Sequence, residues 1–274
     1  MSAIEEWAAA LAAWAIPPEI LAGAGETPWV LPREVFRRRA REQVAAPVGA
    51  TYREALAALA EPGTVLDVGA AAGATSLPLV AAGRVTGITA VDGDTDLLGT
   101  FARDAAAAGV PVTTIAGRWP EVAPETGVAD VVVCGNVLYN VADLGPFVTA
   151  LTARARRRVV AELAARHPLT ALNPLWTHFH GVTRPAGPTA GDCVAALREL
   201  GVEPVVSRWR RPPEPEHAAF PDLVEVTRRR LCLPPSAAGE VRRVLLDLGH
   251  DPDVPPDLGS SGRELFTLVW DGGA

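Results

Sequence analysis

Short apolar runs rich in β-branched residues recur along this chain, spaced so that a helix fits between each pair. The runs at 64–68, 85–91, 112–115, 131–133 and 158–162 are continuous rather than alternating with polar positions, as suits strands of a parallel sheet covered on both faces. Residues 75–82, 95–108 and 144–155 between them read as helices, and Asp94 offers an N-cap to the second. A helix at 51–60 precedes the first strand. After the fifth strand the alternation breaks. Residues 167–188 form an insertion rich in Pro, Trp and His, and a helix at 189–200 ends at Gly201. A sixth strand follows at 205–209, then a helical insertion at about 222–248 and a last strand at 265–270. Residues 1–48 read as a helical cap, interrupted by Pro17-Pro18 and by a Pro- and Gly-bearing link. Its tryptophans Trp7, Trp14 and Trp29 are expected to pack it onto the rest, either as a fixed layer or as a lid over a pocket.

Composition narrows the class. With 274 residues and 49% hydrophobic content, the chain can bury a sizeable core. No apolar run reaches bilayer length, the start lacks a signal-type pattern, and a cytoplasmic protein is expected. Cys134, Cys193 and Cys232 are odd in number and widely spaced, which gives neither a disulfide framework nor a zinc pattern. The net charge of −7 weighs against a broad nucleic-acid surface. All 25 basic residues are arginine, as in the coding bias of a high-GC bacterial genome, and without lysine Schiff-base chemistry is excluded. The arginine triplets at 37–39, 156–158 and 228–230 read as solvated faces.

The chemistry concentrates after the first strand, in Asp67-Val68-Gly69-Ala70-Ala71-Ala72-Gly73. A turn without bulky side chains lets a ligand approach the backbone, and the next helix presents free N–H groups. The second strand closes on Asp92, whose carboxylate can accept bonds from both hydroxyls of a ribose. A dinucleotide site would instead want G-x-G-x-x-G for a pyrophosphate.

On Asp67, Gly69, Gly73 and Asp92 the chain resembles the class I S-adenosylmethionine-dependent methyltransferases, over roughly residues 50–274. Ala71 stands where that family most often has its middle glycine; a methyl group is tolerable there at negative φ. The resemblance implies an α/β fold, a seven-stranded, mostly parallel Rossmann-like sheet with helices on both faces and a final antiparallel hairpin. It divides the chain into an N-terminal cap or lid (1–48) and a methyltransferase domain (49–274) with insertions at about 167–188 and 219–249. It implies S-adenosyl-L-methionine as cofactor and S-adenosyl-L-homocysteine as product. Gly69, Ala71 and Gly73 would line the methionine part, Asp67 would steady the loop or the ammonium, and Asp92 with Gly93 would take the adenosine. Gly117, Arg118 and Trp119 would lie near adenine, with Trp119 or Arg118 stacking on it or Trp119 packing in the core. Gly135 and Asn136 would hold the ammonium, and Tyr139 and Asn140 would face the substrate.

Methyl transfer requires alignment of a nucleophile with the S–CH₃ bond and exclusion of water. A hydroxyl acceptor also needs a base, and His178 or His180 is the expected one, with Glu162 as orienting partner. No ligand cluster accompanies these histidines, so no metal is expected. The acceptor is expected to be a small molecule, with O-, N- and C-nucleophiles open, no nucleic acid or membrane partner, and a homodimer left open. A cofactor-binding regulatory or assembly protein without turnover is one alternative, and an RNA or protein methyltransferase another; a dinucleotide oxidoreductase is weaker.

Overall fold

In the computed structural model, which describes residues 1–29, 31–213, 217–253 and 262–274, each apolar run read as a strand is one. The chain opens with α1 (Ala3–Ala12), α2 (Pro18–Ala22), α3 (Arg33–Ala45) and α4 (Ala50–Ala58). There follow β1 (Gly63–Val68), α5 (Leu77–Val80), β2 (Val85–Asp92), α6 (Thr95–Ala107), β3 (Val112–Ala116) and β4 (Ala129–Gly135). Next come α7 (Leu144–Ala153), β5 (Ala155–Ala164), α8 (Asn173–His180), α9 (Ala190–Glu199) and β6 (Val205–Arg210). Helices α10 (Phe220–Arg230) and α11 (Ala238–Asp247) lead into β7 (Glu264–Asp271).

The seven strands form one sheet in the order β3-β2-β1-β4-β5-β7-β6. Strands β1 to β5 are parallel, whereas β7 runs antiparallel between β5 and β6. Both faces are buried, which is why the runs are uninterrupted. Val65, Val131 and Val133 pack with Leu59 and Phe101, while Leu66, Val132 and Val159 pack with Trp7, Phe147 and Leu197 on the opposite face. The order reverses between β1 and β4, opening a crevice beyond the carboxyl ends of the parallel strands. Register carries the antiparallel hairpin to that same edge: Ala164 lies opposite Leu265, and Arg210 opposite Glu264.

Some boundaries and faces differ from expectation. The helix expected at 75–82 shrinks to α5, because Pro78 has no N–H to give and is accommodated only in a first turn. Helix α7 stops at Ala153 because Ala155 already pairs with Ala129 in the sheet. The insertion at 222–248 divides at Pro234-Pro235 into two helices. The triplet at 228–230 is not a solvated face: Arg228 is buried and donates to Glu26 (2.8 Å) and Glu225 (2.5 Å).

The N-terminal segment and the two insertions share an apolar cluster. Ile16 packs there with Leu172 and Trp176 of the first insertion and with Leu223, Leu231 and Leu245 of the second. Trp7 and Trp14 are buried; Trp29, expected to pack, is 52% exposed. The Trp7 indole donates to Val141 O (2.8 Å) and that of Trp14 to Gly187 O (2.6 Å). Arg184 secures the turn after α1, donating to the carbonyls of Trp14 and Ala15, with its guanidinium near the rings of Trp14 and Trp176. Among the described residues, no helix is long and apolar enough to cross a membrane.

Candidate active site

The glycine-marked turn after β1 is held from two sides. Asp67, fully buried at the strand end, accepts from Ser76 Oγ (2.6 Å), while its Oδ1 has no partner. Burial pushes its carboxyl up to about 7, with the charge of Asp92 adding to the shift. Gly69 (φ 74°) and Gly73 (φ 93°) occupy the left-handed region, where a Cβ would strike Val137 and Leu77 respectively. Ala71 departs from the negative φ at which its methyl group is unstrained: φ is 44°. That conformation costs roughly 1–2 kcal/mol. It aims the Ala71 N–H at Asp92 Oδ2 (2.8 Å), a bond to a carboxylate that offsets the strain. Asp92 Oδ1 accepts from Asp94 N–H (2.8 Å), which caps α6 in turn through Asp96 and Leu97. One carboxylate thus ties the turn to the end of β2.

Beside this turn lies a cavity of about 920 Å³, at the large end of the roughly 300–1,000 Å³ usual for small-molecule sites. Gly69, Ala71, Asp92, Gly135 and Asn136 line it. At its other end stand Trp14, Tyr139, Glu162, His167, Trp209 and Arg211.

Glu162, opposite both Gly135 and Thr267 in the sheet, is the hub of this second end. Its carboxylate accepts from Thr51 Oγ1 (2.6 Å), Asn136 Nδ2 (2.7 Å) and Arg211 Nη2 (3.2 Å). Trp209 Nε1 bonds Thr267 Oγ1 (3.1 Å), which lies 2.7 Å from Thr51 Oγ1. An indole only donates and a carboxylate only accepts, so the chain is directed: Trp209 to Thr267 to Thr51 to Glu162. Tyr139 donates to Ala164 O (2.8 Å), and burial raises its phenol well above the usual range.

His167 stands three residues beyond β5, its ring stacked on Trp14 at 4.0 Å between centroids. Leu169 N–H donates to its Nδ1 (3.3 Å). Burial, with the charges of Arg184 and Arg263, pushes it down to about 4, so at neutral pH the ring is uncharged and carries its proton on Nε2. It therefore offers a donor.

The histidines expected as base lie elsewhere. Neither His178 nor His180, both on α8, lines the cavity. His180 Nε2 is bonded to Leu231 O (2.7 Å), and His178 lies 3.5 Å from Glu240. Glu162 accordingly orients no histidine. Of the residues expected at the cofactor, Asp67, Gly73, Gly93 after β2, and Gly117, Arg118 and Trp119 after β3 are absent from the described cavity wall. Trp119 packs against the core and donates to Phe147 O (3.2 Å), while Gly117 abuts Val122. His167 and Arg211 went unselected, although the rule that ligands sit past strand ends singles out both. Arg263 lies just before β7 and reaches this edge because β7 is antiparallel, a direction that spacing does not disclose.

A seven-stranded sheet of this order, with a glycine-marked turn after β1 and an acid closing β2, is the class I methyltransferase fold. No family model and no curated protein matches the chain. Solved structures do. One similar structure is the magnesium protoporphyrin IX methyltransferase of Synechocystis PCC 6803 with bound S-adenosylhomocysteine: 15% identity, 88% of this chain and 84% of that one, TM-score 0.50. A candidate sarcosine dimethylglycine methyltransferase of Galdieria sulphuraria aligns over 92% of this chain and 95% of its own at 14% identity and TM-score 0.51. A candidate methyltransferase of Bacillus halodurans C-125 aligns over 82% and 100% at 15% identity and TM-score 0.52. At such identities the likeness is one of fold.

Proposed function

We propose that this protein is an S-adenosylmethionine-dependent methyltransferase acting on a small molecule. The observation that carries the reading is a single cavity bounded at one end by the turn tied to Asp92 and at the other by Glu162 and His167. Gly69, Ala71 and Asp92 would hold the adenosyl and methionine parts, with the free lone pairs of Asp92 accepting from ribose hydroxyls. The small residues of the turn fit a ligand that lies close to the backbone. When bound, S-adenosylmethionine supplies a methyl group carried on a sulfonium.

This chain's own residues contribute position and dryness. Glu162 fixes the amide nitrogen of Asn136 and so aims the rest of that side chain at the crevice. Trp14 and residues of the two insertions cover part of the acceptor end with apolar surface, which limits competition by water as acceptor. His167 serves as a neutral donor that orients the acceptor, because its Nδ1 is already engaged. The arrangement suits acceptors that are nucleophilic without losing a proton to a protein base.

Isothermal titration with S-adenosylhomocysteine, paired with a methyl-release assay over small acids, amines and phenols, tests this. Micromolar binding with turnover of at least one acceptor is expected. Absence of binding at millimolar concentration would overturn the reading, and binding without turnover would make the protein a cofactor-dependent regulator.

A further inference from the structure

We infer that the acceptor end of the cavity is specific for an aromatic molecule carrying an uncharged lone-pair acceptor, a carbonyl oxygen or a ring nitrogen, and that His167 selects it through its Nε2–H. This deepens the methyltransferase reading and rests on it for the ligand's role as methyl acceptor, though the binding site itself does not depend on it.

Three contacts fix the imidazole. One face stacks on Trp14, 4.0 Å between centroids, and Tyr139 meets the ring edge-on at 5.1 Å. Nδ1 accepts from Leu169 N–H, so the proton resides on Nε2. The neighbouring rings are held in turn. Trp14 Nε1 donates to Gly187 O, Arg184 donates to the Trp14 carbonyl, and the Tyr139 hydroxyl donates to Ala164 O. The direction of the Nε2–H bond is therefore set before a ligand arrives, which lowers the cost of binding.

That donor is uncommitted. His167 is 7% exposed and lines the cavity. Its Nε2 has no hydrogen-bond partner among the described residues, yet it is not one of the polar atoms sealed from the surface. Thr227 Oγ1 and Arg211 Nε also lack partners, but both are closed off and offer a ligand nothing. Around His167, Glu162 already accepts three bonds, Thr51 and Trp209 belong to the same chain of bonds, and Arg230 and Arg263 interact within the protein.

The donor is set in an apolar wall. Trp14, Trp209, Leu172, Leu223 and Val226 border this end, and a flat ring fits against such side chains. A hydrocarbon of the same shape leaves the buried N–H without an acceptor, which costs more than the bond contributes when made. An ammonium group has no lone pair to offer a donor. Burial and the charge of Arg184, which keep the imidazole neutral, also disfavour a cation beside it.

The test is ligand-observed NMR and isothermal titration of the full chain with acetophenone and α-tetralone, with and without S-adenosylhomocysteine. Each ketone is compared with its hydrocarbon (ethylbenzene, tetralin) and its ammonium analogue (α-methylbenzylamine, α-aminotetralin). At least one ketone should bind about tenfold tighter than both counterparts, the discrimination expected of a buried donor that is otherwise unmet. His167→Phe keeps a ring in the stack and removes the donor, so the ketone should fall to the hydrocarbon's affinity, while the hydrocarbon's own stays within about twofold. His167→Gln, whose amide returns an N–H, should retain part of the preference, which a role in packing alone would not explain. Urea unfolding reports that each variant is folded. Ketone and hydrocarbon binding alike, no ketone binding at millimolar concentration, or full preference in His167→Phe overturns the inference, and the first two outcomes need no variant. S-adenosylhomocysteine binding without ketone preference removes only the donor site. Ketone preference without S-adenosylhomocysteine binding removes only the methyltransferase reading.

Discussion

The two ends of the cavity are built by opposite means. The turn end comes from one stretch of chain, Asp67 to Asp94, and works through backbone N–H groups and small side chains. The acceptor end gathers Trp14, Glu162, His167, Arg211, Arg230 and Arg263 from the whole length of the chain, and works through large side chains. A site made of local backbone is constrained by spacing and tolerates little change. A site made of side chains on a cap can change its ligand without disturbing the sheet, so specificity belongs there.

Removing Trp14 gives the largest expected effect on this contrast. Its buried indole touches Arg184, bonds Gly187 O and stacks on His167, so it joins the N-terminal segment to the first insertion. Trp14→Ala should cost about 3–5 kcal/mol in urea unfolding. Because the turn end shares none of these contacts, S-adenosylhomocysteine should still bind well below the unfolding midpoint. Equal loss of stability and cofactor affinity would show that the two ends are one cooperative unit.

Asp92→Ala is the counterpart at the turn end. It removes the acceptor of two backbone N–H groups and leaves Ala71 strained without its bond. Two charge-assisted bonds are worth about 3 kcal/mol or more together, so S-adenosylhomocysteine affinity should fall at least about a hundredfold by titration. Asp92→Asn, which keeps one acceptor oxygen, should lose about tenfold. Affinity unchanged in the alanine variant would remove Asp92 from the site.

These ends also differ in how much the sequence disclosed. Asp67, Gly69, Gly73 and Asp92 stand in a short spacing on a strand–turn–helix unit; Gly69 and Asp92 line the cavity, whereas Asp67 and Gly73 lie behind its wall. The remaining cavity residues depend on which strand sits beside which. His178 and His180 drew attention through their cluster in an insertion, yet α8 turns them toward Leu231 and Glu240. His167 is nearer β5 and reaches the cavity. The arginine triplets misled in the same way: Arg39 and Arg230 line the cavity, and Arg228 is buried among acids. A charge run specifies composition, whereas helix phase decides which member faces inward.

Proton linkage sets the ends against each other. His167 takes its proton near 6.5 when unfolded but only at about 4 when folded, so the stability it contributes above pH 6.5 is lost as pH falls toward 4. Asp67 has the reverse sign. It loses its proton near 3.8 when unfolded and holds it to about 7 when folded, so stability present below pH 4 is lost as pH rises toward 7. Across pH 4–6.5 the two largely cancel, His167 amounting to about 3 kcal/mol over its window and Asp67 to about 4 kcal/mol. His167→Gln should therefore make unfolding free energy fall more steeply with rising pH, and Asp67→Asn should make it rise more steeply. Urea titrations at several pH values check both signs, and slopes matching those of the unmodified protein would contradict the burial assigned to these groups.

The smallest effect is expected where the sequence pointed most plainly to chemistry. His178 is exposed and, among the described residues, lies 3.5 Å from Glu240 and edge-on to the ring of Phe179, so His178→Ala should change stability by no more than about 0.5 kcal/mol. His180→Ala loses one bond to Leu231 O and a ring contact with Trp176, worth about 1 kcal/mol. Neither side chain faces the cavity, so kcat at saturating acceptor should stay within about twofold in the double variant. The pH profile of kcat should keep its shape, since no group that exchanges protons with the acceptor has been removed. A hundredfold fall in kcat with stability intact, together with a changed pH profile, would bring α8 into the reaction. It would then follow that the cap moves far enough during turnover to carry His178 or His180 to the acceptor, and that the two ends of the cavity are coupled by that motion.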